Sequence, residues 1–218
     1  MPTIKLVPND IGKKYEIHEW RNATAVLVNA CPEEWKDILD TLRVFKLLRS
    51  SIIAPGGGKS NVSGALDSEL YKKGWREKNF KTQIVVDDKV TDSPTHKVDC
   101  FKNRVALEVE WNNKDPFYDR DINNFRLLFD LRVIDAGVII TRCDDLQQIF
   151  DELGIGHKYG PSTTHMGKLI SKIEGGGGGG CPILVFGIGK SVYIEDAIPK
   201  YVPKEIPEDA DLEENING

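Results

Sequence analysis

The chain has 218 residues, of which 40% are hydrophobic and 29% charged, and its formal net charge is −5. This size allows one good hydrophobic core, so we expect a single domain. No apolar run approaches the roughly 18 residues of a membrane span, so we expect a cytoplasmic protein without a membrane partner. The cysteines and histidines are scattered along the chain and match no zinc-ligand spacing.

Two helices are predicted in the first third of the chain. Apolar residues recur at helical spacing from Pro32 to about Leu48, and Pro32 suits a first helical turn. A shorter pattern runs from about Ser63 to Lys73, with Leu66 and Leu70 facing inward and Gly74 able to end the helix.

The segment between these helices, Ala54–Ser60, is rich in glycine and ends in Lys59 and Ser60. It does not form a nucleotide-binding P-loop, because Ile53 stands where that motif requires its first glycine. We therefore predict no nucleotide cofactor. We interpret the segment as a surface loop whose Lys59, with Asn61 beyond it, contacts a backbone phosphate of a nucleic acid.

Strands and helices alternate through the rest of the chain. A strand is predicted at about 82–86, followed by a loop through Pro94, and alternating apolar residues predict a strand at 105–111. Asp115 and Pro116 are a good N-cap and first-turn pair for the next helix. The remaining predicted elements are a helix at 116–130, a buried strand at 136–141, a helix at 144–153, a helix at 165–173 and a strand at 182–188.

Charge is distributed unevenly along the chain. Residues 205–218 contain six carboxylates and no basic side chain, so removing them from the net charge of −5 leaves +1 for residues 1–204. We expect residues 1–204 to form one domain and residues 205–218 to form a flexible acidic tail. Basic residues gather at 72–81 and around 97–104, which suits a phosphodiester substrate but also fits a solvated helix end and hairpin.

Three carboxylates, Asp99, Glu108 and Glu110, carry the strongest functional signal. Within the predicted strand, Glu108 and Glu110 alternate with apolar residues and therefore point to one face. Alternate strand residues lie roughly 6.5 Å apart, so the carboxylates converge on one divalent ion if Asp99 arrives from the preceding turn. Oxygen ligands favour magnesium over zinc. The competing interpretation is a solvated acidic strand face.

Three segments of the chain, Gly74–Glu77, Val98–Glu110 and Ile134–Val138, resemble the BglII and BstYI group of type II restriction endonucleases. The resemblance spans roughly residues 61–188 and places the chain in the PD-(D/E)xK nuclease superfamily. It implies an α/β fold with a central mixed β-sheet flanked by helices, and it implies that Asp99 and Glu108 bind Mg²⁺, with Mn²⁺ as a substitute.

The sequence departs from the superfamily pattern at two positions. Val98 stands where proline is usual, and Glu110 stands where lysine is usual, so a lysine at this position cannot serve as the general base. The acid at this position is similar to that of BamHI. Glu110 then either completes a second metal position or accepts the proton of the attacking water. Glu69, on the second predicted helix, is a candidate accessory acid.

The resemblance also implies a partner and an assembly. The expected substrate is double-stranded DNA with a short palindromic site, of which a GATC-centred sequence is the first to try, cut by a homodimer in a prokaryotic cytoplasm. Ordinary turn and helix-cap chemistry explains the candidate DNA contacts equally well. These candidates are Asn112, Asn113, Lys114 and Arg120, with a second group at Ser162, Thr163, Thr164 and His165.

Two other functions fit the same residues. A non-catalytic DNA-binding protein would use Glu108 and Glu110 only as solvated strand residues, and a structure-specific repair nuclease would cut branched DNA in preference to intact duplex. Cleavage assays separate the three functions.

Overall fold

The computed structural model describes residues 3–55 and 58–196, so the predicted acidic tail at 205–218 lies outside the described residues and the single domain at 1–204 stays a prediction. The α-helices are Asn9–Gly12 (α1), Ala23–Ala30 (α2), Pro32–Val44 (α3), Arg49–Ile53 (α4), Asn61–Lys72 (α5), Pro116–Asp130 (α6), Leu146–Glu152 (α7) and Met166–Glu174 (α8). The strands are Tyr15–Trp20 (β1), Leu47–Leu48 (β2), Arg76–Lys78 (β3), Lys81–Val86 (β4), Lys89–Pro94 (β5), Val98–Lys102 (β6), Val105–Glu110 (β7), Ala136–Arg142 (β8), Ile183–Ile188 (β9) and Tyr193–Ile194 (β10).

Six strands form a mixed central sheet in the order β1-β9-β8-β7-β6-β3. Strands β7, β8 and β9 are parallel, whereas β1, β6 and β3 pair antiparallel with their neighbours. Every residue of β8 and β9 is buried, as expected for parallel strands covered on both faces. The structure thus confirms the predicted α/β fold with a mixed sheet between helices.

Strand β7 separates two hydrophobic cores. Its residues Val105, Leu107 and Val109 belong to the core shared with α3 and α5, whereas Ala106 belongs to the core shared with α6 and α8. The alternation read from the sequence is therefore confirmed. Glu108 and Glu110 follow Ala106 at two-residue steps, so they point toward α6.

Helix α5 is fixed at both ends by local contacts. The Ser60 hydroxyl oxygen accepts a hydrogen bond from the Ser63 backbone N–H at 3.0 Å, which satisfies one free donor of the first turn. Gly74 adopts a φ of +93°, and the Trp75 N–H then donates to the Leu70 carbonyl at 3.2 Å. The predicted helix and its glycine stop are confirmed.

Several local predictions were wrong. The helix beginning at Pro32 ends at Val44 rather than Leu48, because Leu47–Leu48 forms strand β2 and pairs with β10. The predicted loop before Pro94 contains strand β5, which pairs with β4 in a hairpin outside the central sheet. Asp115 makes no side-chain cap, since its carboxylate binds the Lys168 Nζ at 2.7 Å.

Among the described residues, no helix has the length and apolarity needed to cross a membrane.

Candidate active site

Asp99 and Glu108 meet where the pairing of β6 with β7 stops. The last registered pairs of this ladder are Lys102 with Val105, Phe101 with Ala106 and Cys100 with Leu107. Beyond them, the Asp99 backbone N–H donates to the Glu108 Oε2 at 3.2 Å. Asp99 therefore lies on strand β6 and not, as predicted, on a turn. The two acidic residues are adjacent, as expected, and convergence of their carboxylates on one ion stays a prediction.

Glu108 and Glu110 are buried, each with only 1% of its surface exposed. The alternative of a solvated acidic strand face is therefore wrong. Asp121 of α6 is fully buried beside them. Burial is the largest cause, and repulsion from Asp121 and Asp99 the next largest, of a Glu108 pKa that lies well above its ordinary value. Burial and the nearby Asp121 raise the pKa of Glu110 to about 9.

The described residues leave two of these buried carboxylate oxygens without a hydrogen-bond partner, Oε1 of Glu108 and Oδ2 of Asp121. An unpaired buried oxygen among repelling carboxylates is costly, and a divalent cation would relieve both the missing contact and the repulsion. In residues 3–55 and 58–196, no three acidic, histidine or cysteine side chains converge closely enough to hold a metal ion. Asp99 and Glu108 still suit Mg²⁺, which commonly takes one or two carboxylates and completes its shell with water and substrate phosphate.

Glu110 connects strand β7 to the start of α6. Its Oε2 accepts a hydrogen bond from Asn113 Nδ2 at 2.6 Å, and its Oε1 lies 3.5 Å from Arg120 Nη2. The Arg120 guanidinium also binds Asp121 Oδ1 at 2.7 Å and stacks 4.3 Å from the centre of the Phe117 ring. Both carboxylate oxygens of Glu110 thus contact residues that were predicted from the sequence to contact DNA.

The two predicted groups of DNA-contact residues lie together, although about fifty residues separate them in the chain. The Thr164 N–H donates to the Asn113 carbonyl at 2.8 Å, and the Asp115 N–H donates to the Ser162 carbonyl at 3.1 Å. Lys114 and Thr163 form an isolated antiparallel bridge between these segments. The structure therefore joins both groups into one surface beside the carboxylates.

Not every member of this surface is available to a ligand. Thr164 is fully buried, and its hydroxyl oxygen accepts a hydrogen bond from the Asn113 N–H at 3.1 Å. The Thr163 hydroxyl is bound by the buried Arg142 at 2.9 Å. His165 pairs with the Asp144 carboxylate. These three side chains support the surface, whereas Lys114 and Ser162 are exposed on it.

A cleft of about 870 Å³ opens beside the site. It is lined by Asp99 and by four of the predicted DNA-contact residues, Lys59, Asn61, Asn112 and Asn113, together with others that include Lys158 and Tyr159. The wall formed by Lys158 and Tyr159 was not anticipated from the sequence. Asp99 is thus open to this cleft.

Glu69 does not join the carboxylate group, because it pairs with Lys72 on the outer face of α5. Asp67, two residues earlier, is the buried acid of this helix, and it accepts a hydrogen bond from Cys100 Sγ at 3.4 Å. Asp67 and Asp121 are the acids that sequence reasoning missed. The helical spacing could have indicated that Asp121 is buried, since it lies three residues after Tyr118 and four before Phe125, within an apolar stripe.

The raised carboxyl pKa values predict how stability depends on pH without metal. A carboxyl whose pKa is higher in the folded state than in the unfolded state keeps its proton in the folded protein after the unfolded chain has lost it. Stability is therefore highest at low pH and decreases until the pH has passed the pKa of the folded state, which is about 9 for Glu110. In EDTA, the melting temperature should therefore fall between pH 5 and pH 9. The Glu110→Gln variant should show a shallower decline, whereas Glu33→Gln, at an exposed position, should match the parent. A melting temperature that rises over this range would contradict the prediction.

Comparison with known proteins identifies one family. The family model described as restriction endonuclease BglII/BglIII matches residues 15–188. This segment begins with β1 and ends with β9, so it contains the whole central sheet together with Asp99, Glu108 and Glu110. No curated protein matches the chain.

Proposed function

The chain belongs to the restriction endonuclease BglII/BglIII family and is thus a DNA-binding type II restriction endonuclease; we propose that it is a Mg²⁺-dependent homodimer acting at a short palindromic site. The observation that carries this proposal is the pairing of Asp99 with Glu108 at the edge of the cleft, with one buried Glu108 oxygen left unpaired among the described residues.

The reaction splits one water molecule across one ester bond of the DNA backbone. The water oxygen forms a bond to phosphorus, one P–O ester bond breaks, and the proton lost by water ends on the leaving oxygen. Mg²⁺ bound at the site supplies a hard positive charge that acidifies water and neutralises the phosphoryl oxygens. Asp99 and Glu108 would hold that ion, and the hydrogen bond from the Asp99 backbone N–H to Glu108 keeps the two acidic residues together.

Glu110 has a different role in this proposal. Its hydrogen bonds to Asn113 and Arg120 support a positioning function, in which the carboxylate orients two side chains toward the DNA groove. An asparagine amide can pair with adenine, and an arginine can pair with guanine. Glu110 thereby couples the segment that meets the bases to the strand that carries Glu108.

The proposed dimer follows from the symmetry of the substrate. A palindromic duplex is read by a twofold-symmetric protein, in which each subunit cuts one strand. Helix α6 is the candidate dimer element, and it begins at the proposed DNA surface. Sedimentation of the purified chain should give twice the subunit mass of 24.4 kDa.

Cleavage of unmodified DNA tests the function. With Mg²⁺ or Mn²⁺ the full chain should convert plasmid and genomic DNA into discrete fragments, and EDTA should prevent this conversion. Plasmids that differ by one GATC-centred palindrome supply matched substrates, and fragment-end sequencing would identify the site. Binding without any cleavage would favour the non-catalytic protein, and preferential cutting of branched DNA would favour the repair nuclease.

A further inference from the structure

Lys59 brings a positive charge to the α5 side of the cleft. Its Nζ pairs with the buried carboxylate of Asp67 and lies 5.9 Å from the centre of the Tyr71 ring. The Tyr71 hydroxyl donates to the Asp99 carbonyl oxygen at 3.0 Å, so this ring is fixed to strand β6. Lys59 and Asp99 line the same cleft and attract each other electrostatically.

The residue that follows Lys59 is anchored, while the Lys59 side chain is partly exposed. This residue, Ser60, is the N-cap of α5, and its carbonyl accepts a hydrogen bond from the Gly64 N–H at 2.8 Å. The Lys59 side chain is 48% exposed, although its partner Asp67 is only 2% exposed. The ammonium can therefore turn from Asp67 into the cleft without any change in the helix.

Two acidic residues, Glu77 and Asp99, line the cleft. A phosphate that approaches Asp99 therefore meets electrostatic repulsion unless a cation lies close to it. Arg120 offsets charge on the α6 side, where Glu110 and Asp121 already bind it. Lys59 is the corresponding cation on the α5 side.

We propose that Lys59 leaves Asp67 when DNA enters the cleft and donates a hydrogen bond to a nonbridging oxygen of the phosphate being cleaved. Lys59 forms and breaks no covalent bond. It stabilises the negative charge that grows on the phosphoryl oxygens as water attacks, which makes it a catalytic residue of the reaction. This inference rests on the proposed function.

The test compares single-turnover cleavage rates at saturating enzyme with DNA binding measured in EDTA. Lys59→Gln should reduce the rate about 10²-fold, which is typical for loss of one donor to a developing oxyanion, while DNA binding changes little. Lys59→Arg should retain more activity than Lys59→Gln. Lys36→Gln is the matched control, because Lys36 also pairs with an acidic residue, Asp40 on α3, at an exposed position, and this variant should cleave at the parental rate.

A double variant separates catalysis from simple charge compensation. If Lys59 only neutralises Asp67, then adding Asp67→Asn to Lys59→Gln would restore the cleavage rate, and this restoration would overturn the inference. A Lys59→Gln variant that cleaves at the parental rate would also overturn it, leaving the proposed function intact. A parental protein that does not cleave DNA with Mg²⁺ would overturn both.

Discussion

Replacing Glu108 by glutamine is expected to abolish DNA cleavage and to leave DNA binding in place. The substitution keeps the size of the side chain and its contact with the Asp99 N–H, but it removes the charge that would hold Mg²⁺. We expect the single-turnover rate to fall by about 10³-fold or more, equivalent to about 4 kcal/mol of transition-state stabilisation. Glu69→Gln, on the outer face of α5, should cleave at the parental rate.

The same variant carries a second, independent signature. Because burial and the neighbouring Asp121 and Asp99 disfavour the ionised form of Glu108, a neutral glutamine should stabilise the metal-free protein. A gain of 1 kcal/mol raises the melting temperature of a domain of this size by roughly 2–4 °C. A Glu108→Gln protein that still cleaves DNA at the parental rate would refute the assigned role of Glu108. One that is less stable than the parent in EDTA would refute the electrostatic argument.

Gly137→Ala is expected to be the most damaging single-methyl substitution within the sheet. A Cβ at Gly137, in β8, would lie 2.3 Å from Cδ2 of the Phe125 ring, and that ring is fully buried between α6 and the sheet. Neither group has space to move, so we expect a loss of about 1–3 kcal/mol or more in the free energy of unfolding.

Gly64→Ala provides the matched control for this prediction. Gly64 lies within helix α5, and a Cβ there would meet nothing within 4 Å. The added methyl should stabilise the helix by about 0.5–1 kcal/mol, because glycine loses more conformational freedom on folding. Urea denaturation measures both variants. Equal effects of the two substitutions, in sign and size, would show that the contact with Phe125 does not limit the packing.

The parts of the fold that were predictable from sequence have strong local patterns. Strand β7 shows a two-residue alternation, and α5 has apolar spacing with a cap and a glycine stop, so both were identified. Strand β5 was missed because the sequence of Lys89–Pro94 contains few apolar residues, while its pairing with β4 is not visible in the local pattern. The two-residue strand β2 depends on β10, almost 150 residues away, and no local pattern could indicate it.

The site followed the same division. The spacing of Glu108 and Glu110 placed them on one face, but it could not reveal that α6 covers that face and buries them. Asp67 and Asp121 join the group only through tertiary packing, and an acidic residue in a helix is usually exposed. The sequence suggested Glu69 as an accessory acid, but the buried acid of this helix is Asp67. The two residues are only two positions apart, so a small error in helix phase exchanges a surface carboxylate for a buried one.

The hydrogen bond between Asn113 and Glu110 has a consequence for anyone who redesigns which DNA sequence is cut. If Asn113 contacts the bases as proposed, a new side chain at position 113 would also remove a hydrogen bond of the buried Glu110, so we expect altered selectivity to come with altered turnover. Asn112 lines the same cleft, and within the described part of the chain its Oδ1 has no hydrogen-bond partner. Position 112 is therefore the better starting point for such engineering.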